Sequence, residues 1–256
     1  MVQVGKMLRQ LRKQQGLTQE ELGAGIISKP ELSRVENGLR EPDILVLDAL
    51  FKRLGASLEY FELVVTNREY EQLRKMNHEL LTKTVVITES ELIKGIRKAR
   101  GWSQEQLCEN VCARETISNI ENGRPPKQKM LERLLKKMGD SRQRYIGYVE
   151  SKEYEIYPQV KNYQNMLGAD KEEAAKALKE IKKRLDNSIP VNLQFIESSE
   201  VIEKERAGEM KPEEAVRTLE RCLRYTMPEY DGTVYRIPHR QEKVILEKID
   251  KIIGKK

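Results

Sequence analysis

The side chains best equipped for chemistry in this chain are its cations, and they are unevenly spread. Residues 1–64 carry nine cations and nine acids, residues 65–87 four against three, and residues 149–256 twenty-one of each. Residues 88–148 stand apart, with thirteen against eight. Ammonium and guanidinium groups neutralise phosphate and release its counterions, so a basic segment between neutral ones reads as the part that meets a polyanion. Arg124-Pro-Pro-Lys127-Gln-Lys129 gathers three of these cations in one short stretch. Enzyme chemistry is not staffed in the same way. There is no glycine-rich phosphate loop and no nucleophile motif, and two histidines, His78 and His239, are too few for an acid–base centre. Cys108 and Cys112 flank a turn while Cys222 lies far away, which suits buried thiols in a reducing cytoplasm rather than a disulfide framework. No catalytic residue, metal site or cofactor is expected.

The elements that position the cations are written twice. Leu17–Gly38 reads LTQEELGAGIISKPELSRVENG and Trp102–Gly123 reads WSQEQLCENVCARETISNIENG, and the two align without a gap, Leu17 on Trp102 and Gly38 on Gly123. Each copy opens on a capping box, Thr18-x-x-Glu21 and Ser103-x-x-Gln106, in which hydroxyl and acid or amide satisfy each other's free backbone donors. A short turn follows, then a second helix with an apolar pair (Leu32 and Val35; Ile117 and Ile120). An Asn-Gly stop closes each copy, where glycine suits the left-handed residue that ends a helix. The pattern predicts a helix-turn-helix, twice in one chain.

With Arg-x-x-x-Gly before each copy (Arg12 to Gly16, Arg97 to Gly101) and Glu-Asn-Gly at its end, the chain resembles the phage-repressor/Cro (Xre-like) DNA-binding family over residues 5–63 and 89–148. The resemblance implies two five-helix units, with structural ion pairs Arg12–Glu36 and Arg97–Glu121. It assigns Gln19 and Gln104 to phosphate, beside the helix-start residues Thr18, Ser28 and Ser103. It turns Lys29, Pro30 and Arg34 of the first recognition helix, and Arg114, Glu115 and Asn119 of the second, toward base edges. Asn37, Arg40, Asn122, Arg124, Lys127 and Lys129 fall where such domains approach the DNA backbone. Arginine prefers guanine, asparagine adenine, and glutamate accepts from cytosine, so two active copies would read unlike half-sites. Pro30 offers only apolar contact. Ala113 stands where the first copy has Ser28, and loss of that cap costs about 1 kcal/mol. The short turns GAGIIS and CENVCA resemble those of Rgg/PlcR-type regulators, whose C-terminal halves are tetratricopeptide-like.

The remaining pattern is helical, and the expected fold class is all-α: helix-turn-helix domains at 1–64 and 88–148, a helical connector at 65–87, and α-helical hairpins at 149–256. Val4, Met7, Leu8 and Leu11 share one helix face, and Leu45 to Leu54 supply a fourth helix's core. Ser57–Leu63 reads as a short closing helix. Thr66-x-x-Glu69 starts a connector helix running to about Lys83, about 25 Å long and able to hold the two units apart. Trp102 replaces Leu17 as a core residue. Beyond Tyr145, four helices (153–166, 171–186, 191–207, 212–226) form two hairpins. Gly168 and Gly208 are spaced as Ala175 and Ala215 are, a recurrence similar to a weak tetratricopeptide repeat. A last helix, 240–253, carries an apolar stripe of Val244, Ile245, Ile249 and Ile252 that needs a partner surface. The function expected is a cytoplasmic transcription regulator that binds double-stranded DNA, a homodimer through its C-terminal helices, with a peptide or protein effector implied by the Rgg/PlcR resemblance and no membrane. Two rivals are a protein-interaction adaptor that uses one motif for docking, and an antitoxin-type repressor.

Overall fold

The computed structural model describes residues 2–140, 145–167 and 171–254. It divides into two compact units, Met1–Ile146 with Val234–Ile237, and Gly147–Thr233 with Pro238–Lys256.

The first unit contains both repeats. Helices α1 (Val2–Gln14), α2 (Gln19–Gly23), α3 (Lys29–Glu36) and α4 (Ile44–Arg53) are followed by strand β1 (Glu62–Val65). The connector consists of α5 (Asn67–Lys75) and α6 (Leu80–Lys83), and then strand β2 (Val86–Thr88). The second repeat comprises α7 (Glu89–Ala99), α8 (Gln104–Cys108), α9 (Arg114–Glu121) and α10 (Gln128–Lys137), ending in β3 (Tyr145–Ile146). Capping boxes start α2, α5, α7 and α8, since Thr18, Thr66, Thr88 and Ser103 each accept from the backbone three residues on. Inside the second repeat, Ile93, Ile96, Leu107, Ile117, Leu134 and Met138 are fully buried, and Trp102 packs against them.

Two expectations for this unit fail, the first for a non-local reason and the second for a local one. Ser57–Leu63 does not close the first repeat as a helix. Its end becomes β1, which is buried throughout and pairs with strands far away in sequence. β1 pairs in parallel with β2 (Leu63 with Val86, Val64 with Ile87, Val65 with Thr88) and antiparallel with β3 (Glu62 with Ile146, Leu63 with Tyr145). The connector is helical but broken, because Asn77 adopts a left-handed φ of 48° between α5 and α6. Asparagine tolerates that conformation better than most residues. The connector therefore turns back rather than running on as one straight spacer. Glu69 on α5 accepts the Ile44 N–H at the start of α4 (2.9 Å) as well as the Thr66 N–H of its own box (2.7 Å). Asn67 accepts from the Ser90 hydroxyl of α7 at 2.6 Å. The connector thus bonds to both repeats.

In the second unit, α11 (Ile156–Met166) packs on α12 (Lys171–Arg184), and α13 (Pro190–Ala207) packs on α14 (Pro212–Arg224) and on α15 (Arg240–Ile253). Gly168 lies outside the described residues. Helix α13 is buried on several sides (Asn192, Phe195, Ser198, Val201). Asn192 donates to the Glu150 carbonyl (2.9 Å), and Gln194 to the Cys222 carbonyl (3.0 Å) and the Thr226 hydroxyl (2.7 Å). The stripe on α15 finds its partner surface within this unit: Ile245 and Ile249 are buried as α15 packs on α13 and α14, with Val244 and Ile252 half-buried. Cys222 is buried, and burial pushes its thiol up to about 12. Among the described residues no helix is long and apolar enough to cross a membrane, and no group of His, Cys, Asp and Glu is arranged to hold a metal.

Candidate nucleic-acid interface

The two repeats hold their recognition helices, α3 and α9, with the same set of bonds. Arg12 Nε and Nη2 donate to Glu36 at 2.6 and 2.9 Å, while Nη1 donates to the Leu17 carbonyl at 2.7 Å. Arg97 repeats this on Glu121 at 2.5 and 2.9 Å and on the Trp102 carbonyl at 2.6 Å. A bidentate guanidinium–carboxylate pair is strong and directional. Each one ties the first helix of its repeat to the end of the recognition helix and to the residue just before the second helix's cap. The hydrogen bonds to Glu36 and Glu121 hold both arginines above the ordinary guanidinium range. Burial pushes the Glu121 carboxyl up, but hydrogen bonds from Arg97 and Gln104 outweigh it and leave the group below its usual value.

Gln19 and Gln104 join the same network. Their amide nitrogens donate to Glu36 at 2.8 Å and to Glu121 at 2.9 Å. Each glutamine is half-buried at the start of the second helix, with its donor directed at the buried carboxylate. A cation also clamps the far end of each second helix. Arg53 donates to the Leu22 and Ala24 carbonyls, at 2.9 and 2.5 Å, and Lys137 to the Gln106 and Glu109 carbonyls, at 2.6 and 2.7 Å. Carbonyls at a helix end lack helical partners, and a cation there also complements the helix dipole. Neither clamp is legible in the sequence, because each joins a fourth helix to a second helix well before it in the chain.

The outward residues of both recognition helices are exposed: Lys29, Pro30 and Arg34 on α3, and Arg114, Glu115 and Asn119 on α9. Leu32, Val35, Ile117 and Ile120 on the opposite faces are buried. Pro30 lies in the first turn of α3, where a missing N–H is harmless. At the N-cap the repeats differ. The Ser28 hydroxyl donates to the Glu31 carboxylate at 2.9 Å, while Ala113 provides no side-chain bond to α9. Lys29 and Arg114 occupy equivalent positions and share an equivalent partner, Glu20 at 2.9 Å and Glu105 at 2.5 Å. The sequence carries that signal in Glu20 and Glu105, which match in the alignment of the two copies, but the pairing shows itself only once the helices are packed. Arg40 is paired with Glu31, and Asn37 donates to the Ser33 carbonyl at 2.8 Å.

A helix-turn-helix family model matches the chain twice, over residues 8–61 and 93–153. The chain carries tandem Xre/Cro-like helix-turn-helix domains. No curated protein and no solved structure matches it.

As a tandem helix-turn-helix protein it is a DNA-binding transcription regulator in general kind. The loop after α9 differs from its counterpart in the first domain. Asn122 ends α9, and Arg124, Lys127 and Lys129 are all exposed, with Lys127 serving as N-cap of α10. The first domain has exposed Leu39 and the acid-paired Arg40 in the matching loop. Part of the second domain's excess charge therefore sits beside its recognition helix.

Proposed function

We propose that the chain regulates transcription by binding specific double-stranded DNA with both recognition helices in the major groove. Lys29, Pro30 and Arg34 read one half-site, and Arg114, Glu115 and Asn119 read the other. Gln19, Gln104, Thr18, Ser28, Ser103 and the loop residues Asn37, Arg40, Asn122, Arg124, Lys127 and Lys129 contact the phosphate backbone. The observation that carries this reading is the duplicated scaffold: the same Arg–Glu–Gln network fixes two recognition helices whose buried faces agree and whose exposed faces differ. Such a division keeps the fold constant and varies the side chains that face base edges.

The second unit, Gly147–Thr233 with Pro238–Lys256, is assigned to effector binding or assembly. Assembly through α15 loses its main support, since its stripe is used within the unit. A second reading makes the first domain a docking module, favoured by its zero net charge and by the acid that pairs with Arg40 in the loop after α3.

Titration of selected and scrambled duplexes at several salt concentrations separates these readings. Lys127→Ala or Lys129→Ala should weaken all sequences alike and reduce the salt slope by about one. Arg114→Ala should cost about 1–3 kcal/mol and relax preference at one base position. Arg34→Ala should do the same at a different position. No effect of Arg34→Ala on the selected duplex would favour docking by the first domain, and no sequence preference at all would refute the proposal.

A further inference from the structure

The turn between α8 and α9 carries Cys108, which ends α8, and Cys112, two residues before α9. Where the sequence suggests buried thiols, only Cys222 is buried; Cys108 and Cys112 stay half-exposed at the edge of the second repeat's core. Their turn is tight. The Val111 and Cys112 N–H groups both donate to the Cys108 carbonyl, at 2.9 and 3.0 Å, and Asn110 takes a left-handed φ of 58°. The first repeat builds the same turn: the Ile26 and Ile27 N–H groups donate to the Gly23 carbonyl at 2.8 and 2.9 Å, and Gly25 takes a φ of 71°. In the alignment of the two copies Gly23 stands for Cys108 and Ile27 for Cys112. A Cβ added at Gly23 would lie 3.6 Å from Ile27 Cγ2, an atom one bond beyond Cβ, as a cysteine sulfur is. The same turn in the second repeat therefore sets two thiols face to face, close to the Cβ separation of about 3.5–4.5 Å that a disulfide needs. Burial and the neighbouring Cys108 thiol push the Cys112 thiol up, as two thiols at close range require. Cys108 Sγ donates to the Glu105 carbonyl at 3.2 Å, a weak bond that a bridge can replace.

We propose that Cys108 and Cys112 form an oxidisable dithiol, a modification site that hydrogen peroxide closes to a disulfide across the turn of the second domain. One sulfur attacks a peroxide oxygen; the O–O bond breaks, a sulfenic acid forms and one water leaves. The other sulfur then attacks the sulfenic sulfur; the S–S bond forms, the S–O bond breaks and a second water leaves with the remaining thiol proton. Overall the two thiols lose two hydrogens, and the peroxide is reduced to two waters. A thiol reductant returns both thiols by exchange. The bridge joins the end of α8 to the residue just before Ala113, the N-cap that provides no side-chain bond to α9. It thus staples the entry of the recognition helix that the sequence leaves uncapped, two residues ahead of Arg114. The first domain has no equivalent, because Gly23 and Ile27 occupy the two positions.

The test treats reduced full-length protein with a small excess of hydrogen peroxide, then unfolds it and blocks the remaining thiols with iodoacetamide. Cleavage after Arg100 and Arg114 releases one peptide, Gly101–Arg114, that holds both cysteines. After peroxide this peptide should carry no blocking group and be lighter than the unblocked reduced peptide by two hydrogens. Without peroxide it should carry two blocking groups. Cys222, buried in the other unit, should be blocked in both samples, and a thiol reductant should restore both sites in the turn. Urea unfolding followed by the emission of Trp102 should show a higher midpoint for the bridged chain, because the bridge restricts the unfolded state. Cys112→Ser, which cannot bridge, should show no rise with peroxide. Two blocking groups retained after peroxide, sulfinic acid at either residue, or bridging only between chains would overturn the proposal. A bridged chain with an unchanged or lower midpoint would also overturn it. Peptide masses are read without DNA, so this outcome is separate from that of sequence-specific binding.

Discussion

Arg97→Ala tests the scaffold on which the second recognition helix depends. The guanidinium makes three hydrogen bonds, two to Glu121 and one to the Trp102 carbonyl. The Arg97 and Glu121 side chains are 12 % and 4 % exposed, so water cannot readily take over at the carboxylate. Truncation leaves Glu121 with Gln104 as its remaining side-chain donor. Removing one partner of a buried pair costs about 3–5 kcal/mol, most of it the penalty of the stranded charge. Urea unfolding followed by tryptophan emission reads this locally, because Trp102 is the sole tryptophan and packs on the second repeat's core. Glu121→Ala should be similarly harmful. The double variant should cost less than the two single losses combined, since neither charge is then left alone. Acid sensitivity adds an independent sign. The folded carboxyl of Glu121 titrates below its ordinary value of 4.5, so its stabilisation is present above that value and lost as pH falls through the depressed one. The deficit of Arg97→Ala should shrink in that acid range, where the stranded carboxylate can be neutralised. Unchanged midpoints in both single variants, or a fully additive double variant, would refute the reasoning.

Gly5→Ala should destabilise the first repeat by about 1–3 kcal/mol, because an added Cβ would lie 2.1 Å from the Val35 carbonyl oxygen where α1 crosses α3; thermal unfolding reads it. Glu69→Ala should lose about 2 kcal/mol, a typical penalty for two caps, since this one carboxylate serves both α4 and α5. Glu69→Gln should recover part of that loss in the same denaturation experiment.

What is legible in the sequence is local. Thr18 with Glu21, Ser103 with Gln106, and the Asn-Gly stops act within one helical turn, so their spacing carries the structure directly. The family resemblance also puts Arg12 opposite Glu36 and Arg97 opposite Glu121, which is where their atoms meet. What is not legible depends on distant chain. β1 is a strand because Val86–Thr88 and Tyr145–Ile146 flank it, and nothing within Ser57–Leu63 announces either neighbour. The break at Asn77 leaves no trace in the periodicity, since Met76 continues the helical spacing from Leu73 to Leu80 and yet is exposed beside the residue that turns left-handed. The apolar stripe of α15 is plain in the sequence, but periodicity cannot say whether its partner surface belongs to another chain or to α13 and α14. At the site, the outward residues follow from their positions on the recognition helices, whereas the acids Glu20 and Glu105 that hold Lys29 and Arg114 emerge only from the packing of one helix against the next.

One chain is expected to engage one duplex through two recognition helices. Dimethyl sulfate protection of guanine N7 on a selected duplex, with full-length protein at one chain per duplex, tests it most directly because that atom lies in the major groove. Two protected clusters about one helical turn, or a whole number of turns, apart are expected. One cluster should be lost with Arg34→Ala and the other weakened with Arg114→Ala. A single protected cluster that responds to Arg114→Ala alone, or two clusters that appear only at two chains per duplex, would contradict it.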